Sequence, residues 1–185
     1  METLAKRIIN RIVLWSNHEY AEEDIEVFYY GAECMLNSLS VDFVLLLWGI
    51  LTHTLVPTLC WLFVFSIYRH HAGGIHASTN ERCILISSLL GISNYIALQY
   101  NDFFTSNYII ILTISSLICL AFAPIESTKK KLTKKEQWKE KSIALGIILI
   151  AVIFKSFLPE ELFISVVYSL LVANVLVIFS VIKQH

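Results

Sequence analysis

Leu4, Ile8, Ile12 and Trp15 recur at three- and four-residue spacing with Lys6, Arg7, Asn10 and Arg11 between them. That period predicts an amphipathic helix over residues 1–17, lying at a membrane surface or packed on other protein. An acidic connector, His18 to Asp24, follows it. From Ile25 to Tyr68 the chain then runs for 44 residues whose only charges are Glu26, Glu33 and Asp42. One membrane span needs roughly 20 residues, so this run predicts two, at about 27–51 and 54–69. Their turn falls near His53-Thr54, and Pro57 sits in the opening turn of the second helix, where a missing N–H costs nothing. Apolar runs at 84–99 and 105–123, and again at 142–158 and 161–182, predict four more spans, the last two joined around Pro159 and Glu160. No strand alternation that could close a barrel, no internal repeat and no low-complexity tract interrupts this pattern. The expected fold is all-α, a polytopic helical bundle of about six transmembrane helices after the N-terminal amphipathic helix, forming one membrane domain over 1–185.

Composition agrees: 56% of the residues are hydrophobic and 16% charged, too apolar a balance for an ordinary soluble domain. The net charge of −1 says little, because the charges are segregated. Residues 1–40 carry three basic and seven acidic side chains, whereas 124–141 carry seven lysines against three acids. Cations in short loops are retained on the cytoplasmic side, so the Arg69–Arg82 loop and the lysine-rich loop are both expected inside, with both termini. A single crossing between 41 and 67 would instead put the N-terminus outside. Met1 to Asn17 lacks the continuous apolar core of a cleavable signal peptide. The four cysteines, Cys34, Cys60, Cys83 and Cys119, form no Cys-x-x-Cys pair, which argues against a zinc ribbon or a disulfide framework.

The stretch with chemical content is Arg69 to Cys83, RHHAGGIHASTNERC, between two membrane-length runs. A thiol and an imidazole can together break acyl bonds, although a lone Cys among apolar residues is usually a small buried hydrophobe. On one straight helix, His76 and Cys83 would lie about 10 Å apart along the axis, beyond hydrogen-bond reach. The segment must bend. Gly73-Gly74 supply the bend, and Ser78-x-x-Glu81 has the form of a capping box that starts a new helix just after His76. Cys83 then falls in the first turn or two of that helix. There the macrodipole, Arg82, Arg69 and an imidazolium at His76 would all favour the thiolate, the form that attacks carbonyls.

Arg69, Gly74, His76, Ala77 and Cys83, with Ala123-Pro124 and Lys129-Lys130-Lys131 downstream, resemble the AgrB family, integral-membrane cysteine endopeptidases that mature quorum-sensing propeptides in Gram-positive bacteria. The likeness covers essentially the whole chain. It implies Cys83 as nucleophile and His76 as its base, a short AgrD-like propeptide as substrate and the cytoplasmic membrane as the location. It also implies ring closure of the product to a thiolactone or lactone. The family's substrates carry an acidic C-terminal region, so Lys129, Lys130 and Lys131 become a docking surface as well as a topogenic anchor. Arg69, Gly73 and Gly74 complete the expected substrate-binding set.

Ionisable residues within a span are costly and mark functional candidates, which singles out Glu33 and Asp42. Glu33, in a Tyr30-Gly31-Ala32-Glu33 segment similar to the family's, could orient His76 as a third catalytic group. Asn80 competes for that role, and simple hydration of Glu33 at headgroup depth is the plainer alternative. His70 and His71 raise the question of zinc, but their spacing matches no helix-borne ligand motif. Neither metal nor cofactor is expected, nor is a nucleic-acid partner. The lipid bilayer and the propeptide are the expected partners, and a homodimer is compatible with the sequence. From another class, a small transporter or peptide exporter would also use six helices, a midplane carboxylate and a basic loop.

Overall fold

In a computed structural model of the chain, the described residues are 1–16, 18, 20–74, 79–125 and 132–184. They form seven helices: α1 (Glu2–Ser16), α2 (Glu22–Leu51), α3 (Leu55–Ala72), α4 (Asn80–Gln99), α5 (Asn101–Phe122), α6 (Lys134–Phe154) and α7 (Glu160–Gln184). No strand occurs among the described residues. The architecture is the expected all-α bundle, and α2, α4, α5 and α7 are each long and apolar enough to cross a membrane. The other two long helices, α3 and α6, carry Arg69, His70 and His71 in a last turn and a lysine-rich opening.

Two boundaries differ from the sequence reading. The acidic residues Glu22, Glu23 and Asp24, expected in a connector, form the first turn of α2, where carboxylates offset the positive end of the helix dipole. At the other boundary, α6 ends at Phe154 rather than near 158, in turns that precede Pro159. There Lys155 swings over the Tyr108 ring, 4.6 Å from its centroid. The first hairpin turns at Thr52–Thr54 as expected. Gly49 permits its tightness, because a Cβ there would lie 3.1 Å from the Leu55 Cα.

The most buried helix is α7, which packs against α3, α4, α5 and α6. Its inward face alternates bulky Val167, Leu170 and Val177 with small or polar Ser165, Ser169, Ala173 and Asn174. Small residues let membrane helices approach closely, and buried polar side chains then bond across the interface. The Tyr68 hydroxyl donates to Asn174 Oδ1 (3.0 Å) and the Asn94 amide to Ser165 Oγ (3.1 Å). Leu45 of α2 fills the space left by Gly91 of α4. The amphipathic α1 packs on α2 by burying Ala5 and accepting the Tyr29 hydroxyl at Asn10 Oδ1 (2.5 Å). It still exposes Leu14 and Trp15, so the packing on protein that its pattern allowed covers only part of its apolar face.

Short connections make sequential helices antiparallel. One end of the bundle therefore gathers the start of α2, the α3–α4 connection and the α5–α6 connection.

Candidate active site

Cys83 lies in the first turn of α4. The helix is capped by Thr79, whose hydroxyl accepts the Arg82 amide (3.3 Å), while the Cys83 amide bonds the Thr79 carbonyl (3.0 Å). The cap is thus one residue later than the Ser78 expected from its spacing to Glu81, because the Thr79 oxygen reaches the third amide of the helix. Ser78 and His76 lie outside the described residues. The Cys83 thiol is free and half-buried, and it faces the positive end of the α4 dipole.

Across from α4, helix α2 presents Tyr30, Glu33, Cys34 and Asn37, a run at i, i+3, i+4 and i+7 that occupies one helical face. The Asn80 amide donates to Glu33 Oε1 (2.8 Å), and the Asn37 amide donates to Asn80 Oδ1 (2.9 Å). Glu33 and Asn80, rivals as orienting groups on sequence grounds, are therefore consecutive members of one chain of hydrogen bonds. That chain ends at Asn37, whose buried Oδ1 accepts no hydrogen bond among the described residues. The Tyr30 hydroxyl sits among the Cys34 and Cys83 thiols and the Glu33 carboxylate. The Arg69 guanidinium, at the end of α3, is near enough to Cys83 for their charges to interact.

Depth follows from helix rise. Glu33 precedes the end of α2 by 18 residues, and Cys83 precedes the end of α4 by 16. At 1.5 Å per residue these are about 27 and 24 Å, close to the roughly 30 Å of a hydrocarbon core. The cluster thus stands about one hydrocarbon-core thickness from the opposite ends of α2 and α4. Asp42 lies about 14 Å further along α2, half-buried and without a polar partner among the described residues.

The segment leading toward His76 is fixed at its start. Gly73 has φ +78° and Gly74 φ +149°, conformations that side chains rarely tolerate. The Ile125 amide donates to the Ala72 carbonyl (3.0 Å), and a Cβ on Gly73 would stand 2.6 Å from the Ile125 carbonyl oxygen. Beside this joint His71 Nδ1 pairs with Glu140 near the start of α6, and the imidazole holds the Glu140 carboxyl below the usual carboxylate range. The end of α3 is therefore tied to both sides of the α5–α6 connection. Lys129, Lys130 and Lys131, within that connection, lie outside the described residues, whereas Lys134 and Lys135 are exposed on the first turn of α6. That turn is fixed by a capping box between Thr133 and Glu136.

His70 and His71 stack edge to face. Among the described residues no three His, Cys, Asp or Glu side chains converge to hold a metal. Sequence reasoning named Cys83, Glu33, Asn80, Arg69, Gly73 and Gly74. It missed Asn37 and the involvement of Cys34 and Tyr30. Their shared helical face was the signal available for finding them, but it becomes informative only once α4 is known to be the neighbour.

Comparison with known proteins bears on what this cluster belongs to. The chain is 26% identical over 158 residues to AgrB-like protein 2 of Clostridium perfringens (strain 13 / Type A), covering 81% of this chain and 73% of that protein. An AgrB-like protein of Clostridium perfringens (strain SM101 / Type A) shows the same identity and coverage. No solved structure matches. Residues 5–182, nearly the whole helical membrane bundle, match the family described as accessory gene regulator B, and the chain belongs to that family, with a role in the accessory gene regulator system.

Proposed function

We propose that the chain is a cysteine endopeptidase of the cytoplasmic membrane that cleaves a short AgrD-like propeptide and assists its cyclisation. The observation that carries this reading is the placement of Cys83. A free, half-buried thiol occupies the first turn of a helix, beside Arg69 and a polar chain from α2. His76 takes the Cys83 proton, and the thiolate attacks the scissile carbonyl. Amides at the start of α4 are placed to stabilise the oxyanion. Collapse expels the C-terminal fragment as an amine, protonated by His76, and leaves a thioester on Cys83. An internal Cys or Ser of the substrate then attacks that thioester, closes the ring and returns the thiol. Exclusion of water favours ring closure over hydrolysis. The Glu33–Asn80–Asn37 chain orients the start of α4 and, in this reading, the imidazole.

Purified protein in liposomes, given the propeptide, is expected to release the linear C-terminal fragment and the cyclic product. An exporter without proteolytic chemistry would yield neither, and would lose function on neutralising Asp42 rather than on losing the thiol.

The cytoplasmic orientation rests on the distribution of cations along the chain: Arg69 and Arg82 between α3 and α4, and the lysines of 129–141. Single-cysteine reporters at positions 78 and 133 should be shielded from impermeant thiol reagents in intact cells, whereas one at 102 should react. External labelling at 78 would reverse the orientation.

The lysine cluster is proposed to dock the substrate's acidic region. Each exposed pair is worth about 0.2–1 kcal/mol. Neutralising Lys129, Lys130 and Lys131 together should therefore raise the substrate requirement several-fold while Lys134, Lys135, Lys139 and Lys141 hold the loop inside. Normal rates at all substrate levels in a correctly inserted triple variant would reduce these lysines to anchors.

A further inference from the structure

Asn37 and Cys83 stand level with one another where α2 packs on α4. Both helices leave the same end of the bundle, and their contacts keep a nearly constant register. Asn80 bonds Glu33 and Asn37, the Leu45 side chain fills the space beside Gly91, and the Trp48 and Tyr95 rings meet edge to face. Leu45 and Gly91 lie eight residues beyond Asn37 and Cys83, respectively, so Asn37 and Cys83 share one depth, about a helical turn past Asn80. We propose that Asn37 is a substrate-binding residue, whose Oδ1 accepts the backbone N–H of the residue whose carbonyl Cys83 attacks. The inference rests on the peptidase reading and adds to it a demand for an amide N–H at that residue.

The polarity of the hydrogen-bond chain leads to this role. A carboxylate accepts and cannot donate, so the atom facing Glu33 Oε1 is the Asn80 amide nitrogen (2.8 Å). Asn80 Oδ1 is then turned to Asn37, whose amide nitrogen donates to it (2.9 Å). Asn37 therefore aims its own Oδ1 away from Asn80. Reversing either carboxamide would set like groups against each other, so Glu33 fixes the orientation of both. The product is a buried oxygen that can only accept and that accepts no hydrogen bond among the described residues. An empty buried acceptor costs free energy, which a donor arriving with the substrate recovers. Covalent geometry brings one donor there. In a peptide laid against Cys83, the nitrogen of the attacked residue is two bonds from the carbonyl carbon that the thiol approaches. Holding that N–H orients the carbonyl, and the hold persists in the thioester, because the N–H stays with the acyl portion. Proline at that position lacks the donor and should be cleaved poorly.

Activated acyl donors test this on the full chain in phosphatidylcholine nanodiscs. The probes are the phenyl thioesters of N-acetylalanine and of O-acetyl-lactic acid, in which an oxygen replaces the N–H. With either, the Cys83 sulfur attacks the thioester carbonyl, a new C–S bond replaces the old one, benzenethiolate leaves and the thiol proton passes to solvent. Acylation mapped to Cys83 by mass spectrometry is divided by that of free N-acetylcysteine, which removes the intrinsic reactivity of each donor. The parent should react about tenfold faster with the alanine donor than with the lactate donor. Asn37→Leu, its fold checked by circular dichroism and melting temperature, should abolish the preference. Glu33→Gln, whose carboxamide can face Asn80 either way round, should lower it part-way. A ratio of two donors cancels any uniform change in thiol reactivity. Absence of preference in the parent, or a preference unchanged in Asn37→Leu, would overturn the proposal and leave the oxygen to a water or to the Cys83 thiol. Failure of both donors to acylate Cys83 would remove this proposal and the peptidase reading together. If the chain processes no propeptide yet shows the preference and loses it in Asn37→Leu, the acceptor stands and the peptidase reading alone falls. Normal processing without the preference sinks the acceptor alone.

Discussion

Replacing Cys83 with alanine should abolish propeptide processing, with a loss on the order of 10⁴-fold or more, as expected when a covalent nucleophile is removed. His76→Ala should have a comparable effect, because the thiol then has no base and the leaving amine no acid. The informative controls are the other three cysteines. Cys60 lies toward the opposite end of α3 and Cys119 is fully buried, so Cys119→Ala can lower stability through lost packing, yet the surviving enzyme should keep its rate. Cys34 is the more demanding control. It shares the neighbourhood of Tyr30 with Cys83, but it sits mid-helix on α2 rather than in the first turn of a helix, and Cys34→Ala should retain most activity. Processing measured by mass spectrometry at equal membrane levels of each variant decides the matter. Equal tolerance at all four positions would sink the peptidase reading.

A second large effect is expected at Gly73, for a reason visible only in three dimensions. Alanine at φ +78°, ψ −163°, a region essentially confined to glycine, costs about 1–3 kcal/mol from its backbone alone. Its Cβ would also meet the Ile125 carbonyl oxygen at 2.6 Å and the Ile125 nitrogen at 2.9 Å. Both contacts are with backbone, so neither can be relieved by a rotamer change. The joint between α3 and the Ala123–Ile125 segment must open, and with it the path toward His76. Gly73→Ala should therefore lower the melting temperature in detergent and reduce processing at least tenfold. Gly146→Ala is the matched control: nothing lies within 4 Å of its added carbon, and neither quantity should fall. Wild-type stability and rate in Gly73→Ala would show that the joint does not support the site.

Much of the fold was legible because hydrophobic run length translates directly into membrane helices. The six predicted apolar runs overlap α2 to α7, of which α2, α4, α5 and α7 are long and apolar enough to cross a membrane, and the periodic N-terminal stretch is α1. Boundaries were less legible. Whether Glu22–Asp24 continue a helix or precede it depends on a dipole interaction worth less than 1 kcal/mol, and Ser78 and Thr79 are nearly equivalent caps until one hydroxyl reaches an amide. At the site, a local motif revealed the thiol and the glycines. What it left hidden was partnership. The Glu33–Asn80–Asn37 chain joins residues 43 and 47 positions apart, and the His71–Glu140 pair spans 69. Neither can be read from spacing, since each depends on which helices become neighbours.

The central claim is that a thioester forms on Cys83, and intact-protein mass spectrometry tests it most directly. Propeptide whose internal Cys or Ser is replaced by alanine should stall after acylation. The purified chain should then gain the mass of the substrate's N-terminal portion, mapped to Cys83, released by hydroxylamine and absent in Cys83→Ala. Release of the C-terminal fragment by the wild-type chain with no such adduct, or an adduct that persists in Cys83→Ala, would contradict the account.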